Sequence, residues 1–196
     1  MLEFQAWPKT KRHEKPLQIT VTEKIDGTNA QVHIIRVPQI ILSELPVITH
    51  TAPDDEYLCT AIMAGSRTRY ITPQNDNAGF AKWVDANAFD LLQLGEGRHF
   101  GEWYGNGIQR NYGMGKKMFA LFNTTRWADT ELPKDVCTVP VLYEGDYVDH
   151  KHLLGLWETL RDGGSMATCA EGFAKPEGLV VWFHDFGTYL KMPMDK

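Results

Sequence analysis

The sequence contains no apolar run that approaches the length of a membrane span. Its first residues, MLEFQAWPKTKRHEK, are basic but have no apolar core behind them, which speaks against a secretion signal. Cysteine is scarce: Cys59, Cys137 and Cys169 are the only three in 196 residues, widely spaced and without a CxxC pair. An odd, scattered set of this kind excludes a disulfide framework or a zinc site and fits the reduced thiols of a cytoplasmic protein. There is no internal repeat and no low-complexity tract. Positive charge is not in excess either; the net charge is −5. That excludes a protein that coats nucleic acid through clustered Lys and Arg over its whole surface. A local basic groove stays open, since basic residues gather at 9–15, at Arg67 and Arg69, at Arg110, and at Lys116 with Lys117. Each of these clusters, taken alone, reads as solvated surface charge.

What is present is an ordinary globular composition, 43% hydrophobic and 23% charged, at a length that suits a single domain. LQITVTE (17–23) alternates, with Ile19 and Val21 on one face and Thr20, Thr22 and then Lys24 on the other. An Asp-Gly pair follows, the strongest short signal for a hairpin turn, and NAQVHII (29–35) alternates again. Residues 36–56 hold three prolines and an acidic DDE and read as an irregular surface excursion. YLCTAIMAGS (57–66), RHFGEWYG (98–105), KMFALFNTTRW (117–127), GLVVWF (178–183) and TYLKMP (188–193) read as strands. Helical spacing runs through Phe80, Trp83, Val84, Ala88, Leu91 and Leu92, with Asp and Asn cap candidates before it and Gly95 after it. A second helix carries Leu153, Leu154, Trp157 and Leu160 and stops at Gly163-Gly164. Strands dominate without βαβ alternation, so the expected class is α+β with largely antiparallel sheets.

One stretch, TEKIDGTNAQVHI (22–34), carries candidate chemistry. On its own, Lys24 is a polar residue at a strand end beside a turn. As a nucleophile it would have to lose its proton, and a free lysine amine titrates near ~10.4. It would also need partners, and the chain supplies candidates in order. AGSRTRY (64–70) offers Arg67, with Arg69 as a competitor, for phosphate. FGEWYG (100–105) offers Glu102 as an acceptor for ribose hydroxyls. KMFALF (117–122) offers Phe119 to stack on a purine, although an aromatic in an apolar strand is more often core. Glu177, just before a strand, could hold a divalent cation, and Lys191 lies inside an apolar strand where a lysine needs a partner.

In this order the segments EKIDGTN, AGSRTRY, FGEWYG, KMFALF, EGLVVW and YLKMP resemble the motif series of the covalent nucleotidyltransferases, the family of ATP-dependent RNA and DNA ligases and mRNA capping enzymes. Glu before the lysine and Thr-Asn after the glycine look most like the nick-sealing RNA ligase branch. The resemblance extends over residues 17–193. It implies an adenylyltransferase that takes AMP on Lys24, with Glu23 and Ile25 flanking it where the family contacts adenine. Asn29 matches the asparagine that follows the first motif in RNA ligases. By the same resemblance Arg67 contacts phosphate, Glu102 the ribose and Phe119 the base; Glu177 is linked to the metal, and Lys191 contacts phosphate and assists catalysis. The implied cofactors are ATP and Mg²⁺, with Mn²⁺ as a substitute, and the implied partner is RNA or an RNA-containing nicked duplex.

There are two departures. The fifth motif usually has two lysines separated by one residue, whereas Tyr189 and Pro193 flank Lys191 here. Relatives usually continue into an OB-fold or helical module, while this chain reads as one adenylyltransferase domain over 1–196, expected to act as a monomer. The reading is an ATP-dependent RNA ligase joining 3′-hydroxyl and 5′-phosphate ends. A DNA nick ligase, and a protein that charges itself or binds nucleotide without joining strands, stay open as alternatives.

Overall fold

Period-two alternation and β-branched residues make strands of most of the chain. The computed structural model describes residues 15–147, 149–167, 173 and 175–194. Cys169 and, apart from Lys15, the basic stretch 9–15 lie outside the described residues. The order is β1 (Gln18–Lys24), β2 (Thr28–Pro38), β3 (Thr49–His50), β4 (Leu58–Ser66), β5 (Tyr70–Ile71), α1 (Phe80–Ala86), α2 (Ala88–Leu91), β6 (Gly97–Gly105) and β7 (Lys117–Leu121). It continues with β8 (Val136–Thr138), β9 (Val141–Asp146), α3 (His150–Gly163), β10 (Gly178–Phe183) and β11 (Thr188–Pro193).

The strands form two sheets. A four-stranded sheet runs β11-β10-β1-β9, and a seven-stranded one runs β3-β4-β2-β6-β7-β8 with β5 paired to β4. All pairings between the named strands are antiparallel except β7 with β8. The fold is therefore α+β with largely antiparallel sheets, as expected. No described helix is long and apolar enough to cross a membrane.

Each sheet buries one face under helix. Ile19, Val21, Leu179 and Val181 pack against Leu153 and Leu160 of α3. Asp149 caps α3 by accepting from the His152 amide at 2.8 Å, and the helix ends at Gly163, with Gly164 at φ 85° as its cap. Ala30, Val32, Ile34, Trp103 and Phe119 pack against Phe80, Val84 and Leu91 of α1 and α2. Asp76 ties down the start of α1, accepting from the amides of Ala81 at 2.8 Å and Lys82 at 3.2 Å. A third cluster of Ile25, Tyr104, Tyr112, Met114 and Ala120 occupies the opposite face of β6 and β7.

Three local expectations are corrected. The Asp-Gly pair does not close a hairpin: β1 and β2 belong to different sheets, and Ile25–Gly27 carries the chain between them. β1 is an interior strand of its sheet, and Lys24 stands at its end. The single helix expected after residue 79 is two short helices broken at Asn87, whose side-chain amide donates to the Trp83 carbonyl at 2.7 Å in competition with the backbone ladder. The strand beginning near residue 29 also runs further than expected, through Pro38, because Ile35 and Val37 stay paired with β4.

Candidate active site

Alternation along β1 sends Ile19 and Val21 into the α3 core and leaves Thr20, Thr22 and Lys24 on the other face. Lys24 lies opposite Gly178 of β10, so Glu177 falls beside it. The Lys24 ammonium forms an ion pair with Glu177 Oε1, and the two side chains are only 22% and 19% exposed. Such a pair is screened less than one at the surface. The second carboxylate oxygen, Oε2, is buried and has no hydrogen-bond partner among the described residues. The glycine after Glu177 is required: Gly178 has φ +146°, and a Cβ there would lie 2.2 Å from the Met192 carbonyl oxygen. Only glycine lets β11 close against this turn.

Glu102 reaches the same place from β6 of the other sheet. Its carboxyl is pushed up to about 7, chiefly by burial; Lys24, the Gly27 amide and Arg67 pull it down, and Glu177 pushes it up further. These effects bring Lys24, Glu102, Glu177 and Arg67 into one electrostatic neighbourhood. The Gly27 amide reaches Glu102 because residue 27 has no side chain: a Cβ there would stand 2.5 Å from the Trp103 carbonyl oxygen. Arg67, rather than Arg69, bears on Glu102; Arg69 serves the turn, its carbonyl accepting from the Ser66 amide at 2.8 Å.

The other expected residues divide. Asn29 lies directly across from Glu102 on β2. Lys191 pairs with Val180, which pairs with Thr22, so it shares the face of Lys24 one row away. Its ammonium stands 5.5 Å from the Tyr189 ring centre. Ile25 is buried against Tyr104 and Tyr112. Glu23 points the other way: its carboxylate accepts from the Ser165 hydroxyl at 2.5 Å and from the amides of Met166 at 2.7 Å and Ala167 at 3.1 Å. Burial holds the Glu23 carboxyl above the usual carboxylate range. Its side chain fastens the turn after α3 and faces away from Lys24. The stacking expectation for Phe119 is corrected. Phe119 pairs with Trp103, not Glu102, so it shares the core face and is 0% exposed among Phe80, Trp83 and Trp103.

A supporting group went unnoticed in the sequence. Arg110 donates from Nε to Asp26 at 3.0 Å and from Nη1 to the Lys175 carbonyl at 3.4 Å. The Asp26 amide donates to the Tyr112 hydroxyl at 2.6 Å, and burial raises the pKa of that hydroxyl, which keeps it a neutral acceptor. The glycine-rich loop after β6 thus grips the crossover beside Lys24. The only sequence signal was an arginine and a tyrosine in a loop whose fold is set by tertiary contacts. Two lysines of the basic clusters are also engaged within the fold: Lys116 pairs with Asp135 at 2.6 Å, and Lys117 donates to the Ala78 carbonyl at 2.7 Å.

Residues 17–185 match the family described as RNA ligase. The chain belongs to the RNA ligase family. The matched span contains every candidate named above except Lys191. Solved structures of Naegleria gruberi RNA ligase are similar. A glutamate-to-alanine mutant with ATP and Mn has a TM-score of 0.57 at 20% identity, covering 92% of this chain and 51% of that one. A lysine-to-methionine mutant with AMP and Mn has a TM-score of 0.55 at 20% identity, covering 91% and 50%. At this identity the likeness shows a shared fold, and this RNA ligase family chain spans about half the length of those solved proteins. No curated protein matches it.

Among the described residues no three His, Cys, Asp or Glu side chains converge on a potential metal position. The donor that suits a divalent cation is Glu177 Oε2, a buried carboxylate oxygen lacking a partner.

Proposed function

We propose that this chain carries out the chemistry of an ATP-dependent RNA ligase, charging itself with AMP on Lys24 and joining 3′-hydroxyl to 5′-phosphate ends. The observation that carries the reading is the Lys24–Glu177 pair, with its second carboxylate oxygen unpartnered and Glu102 close by. The family match and the likeness to a ligase solved with ATP and Mn support ATP as the nucleotide.

In the first step the Lys24 ammonium gives up a proton, and Glu177 Oε1 is placed to take it. The free amine attacks the α-phosphorus of ATP. A nitrogen–phosphorus bond forms, the α–β anhydride bond breaks, and pyrophosphate leaves with the electron pair. In the second step the oxygen of an RNA 5′-phosphate displaces Lys24 and takes the AMP. In the third the 3′-hydroxyl attacks that activated phosphate, the phosphodiester forms and AMP leaves. Arg67 and Lys191 set positive charge beside the phosphate oxygens. Glu102 accepts from a ribose hydroxyl, with Asn29 next to it, and Ile25 offers an apolar wall to the base. Glu23 and Phe119 act from behind the site as supports. Glu177 Oε2 would hold a divalent ion, Mg²⁺ or Mn²⁺, together with substrate phosphates. When bound, the ion neutralises charge on those phosphates. Three scattered cysteines without a CxxC pair favour a cytoplasmic setting.

The test is incubation with α-labelled ATP and Mg²⁺, denaturing electrophoresis, and then addition of nicked RNA, RNA–DNA and DNA duplexes. Label should appear on the protein and pass into sealed RNA-containing product. A protein that takes no label, or that seals only DNA, contradicts the proposal.

A further inference from the structure

The outer face of the seven-stranded sheet continues from the candidate site along three rows. The first holds Asn29 and Glu102, the next Gln31 and Phe100, the third His33 and Arg98. Successive rows are about 6.6–6.8 Å apart, a distance that one nucleotide of an extended strand covers. Phe122 extends the middle row, its amide donating to the Phe100 carbonyl at 3.0 Å. Phe100 is 50% and Phe122 42% exposed, an uncommon display for two large aromatics on one sheet face. Arg98 is exposed beside them. Its Nη1 donates to the Tyr70 hydroxyl at 3.0 Å and approaches Gln31 Oε1 at 3.4 Å, and its guanidinium stands 5.9 Å from the Tyr70 ring centre. The same hydroxyl lies 2.7 Å from His33 Nδ1. Arg67 and Arg69 are exposed on the turn between β4 and β5. Glu102 is the only carboxylate in these rows.

We propose that this face is the track on which a single-stranded RNA segment lies as its end enters the site. Phe100 and Phe122 stack on bases, and Arg98 contacts the backbone. Stacking suits an occupant of unspecified sequence because every base has a π face. The rings are set among cations and hydrogen-bonding side chains, which suits an occupant with alternating flat faces and negative charges. The rows also lead to Glu102 without interruption. The inference rests on Glu102 belonging to the adenylylating site.

The experiment measures binding of a short fluorescein-labelled, 5′-phosphorylated single-stranded RNA to the full chain by anisotropy, without ATP. Phe100→Ala and Phe122→Ala should each weaken binding about tenfold, and Phe100→Trp should retain it. Arg98→Gln should lower the slope of log affinity against log salt by about 1. Phe89→Ala, at an exposed aromatic on α2 away from this face, should bind like wild type. Urea midpoints confirm that each variant is folded. Unchanged RNA affinity in both Phe→Ala variants overturns the proposal, as does wild-type protein that binds no RNA. Self-association that is lost in Phe100→Ala while RNA affinity holds overturns it in favour of a protein interface. Because binding is read without ATP, loss of affinity in the variants supports the track even if the chain never takes up AMP. Self-labelling with unchanged affinity sinks the track alone.

Discussion

Lys24 and Glu177 hold each other in partly shielded surroundings, and that pairing has consequences at single residues. Replacing Glu177 with Gln keeps the size and removes the charge. Self-labelling should slow by about a hundredfold or more, the usual scale for a lost proton acceptor, and the Mg²⁺ titration should move to higher concentration. A wild-type metal titration in Glu177→Gln would make that residue structural. Glu102 makes a pH-dependent prediction. Its carboxyl is raised from 4.5 to about 7 by burial. The stabilisation from keeping it neutral is therefore complete below its unfolded value and is lost as pH rises through 7. Ionised, it costs the fold at most about 3 kcal/mol. Urea midpoints of Glu102→Gln should therefore gain on wild type steadily between pH 5 and 8. A constant gap would mean that Glu102 is charged throughout.

The site depends on how elements meet, and two glycines set that approach. Gly27→Ala drives a methyl into the Trp103 carbonyl, and Gly178→Ala adds left-handed strain to a clash with the Met192 carbonyl. Each should cost about 1–3 kcal/mol, with Gly178→Ala the worse, as read from urea midpoints. Equal stability to wild type would show that the backbone moves aside freely. Much at this scale was legible. β10 and β11 fall on the runs 178–183 and 188–193, and the alternation of Ile19 and Val21 against Thr20, Thr22 and Lys24 gave the faces of β1. The Asp-Gly signal marks a change of direction and carries no information about which sheet receives the next strand. β8 and β9 are short, and β9 is an edge strand with Val141 and Glu144 exposed, so neither has a buried period to detect. Phe119 was misplaced because its face depends on the register between β6 and β7, which composition does not encode. Lys24, Glu102, Glu177 and Arg67 were legible because glycines and turns mark their places. The Arg110–Asp26–Tyr112 grip was not, because it joins two residues of one loop to a turn 84 and 86 positions away in sequence.

For the whole molecule the balance of charge matters. A net charge of −5 is set against few cations available to phosphates, since Arg110, Lys116 and Lys117 are engaged within the fold. Binding to nucleic acid should therefore depend steeply on salt, whereas AMP uptake needs only the pocket around Lys24. Following both reactions from low to physiological salt should show sealing fall well before self-labelling does. A parallel decline would place the salt-sensitive contacts in the nucleotide pocket. The central claim is that this molecule stores AMP on one amine, and peptide mass spectrometry after incubation with ATP and Mg²⁺ tests it most directly. The account predicts an adenylyl group on Lys24, lost in acid as a nitrogen–phosphorus bond should be, and absent from Lys24→Arg, whose guanidinium does not deprotonate to attack. An adenylyl group on another residue, or one that persists in Lys24→Arg, would contradict it.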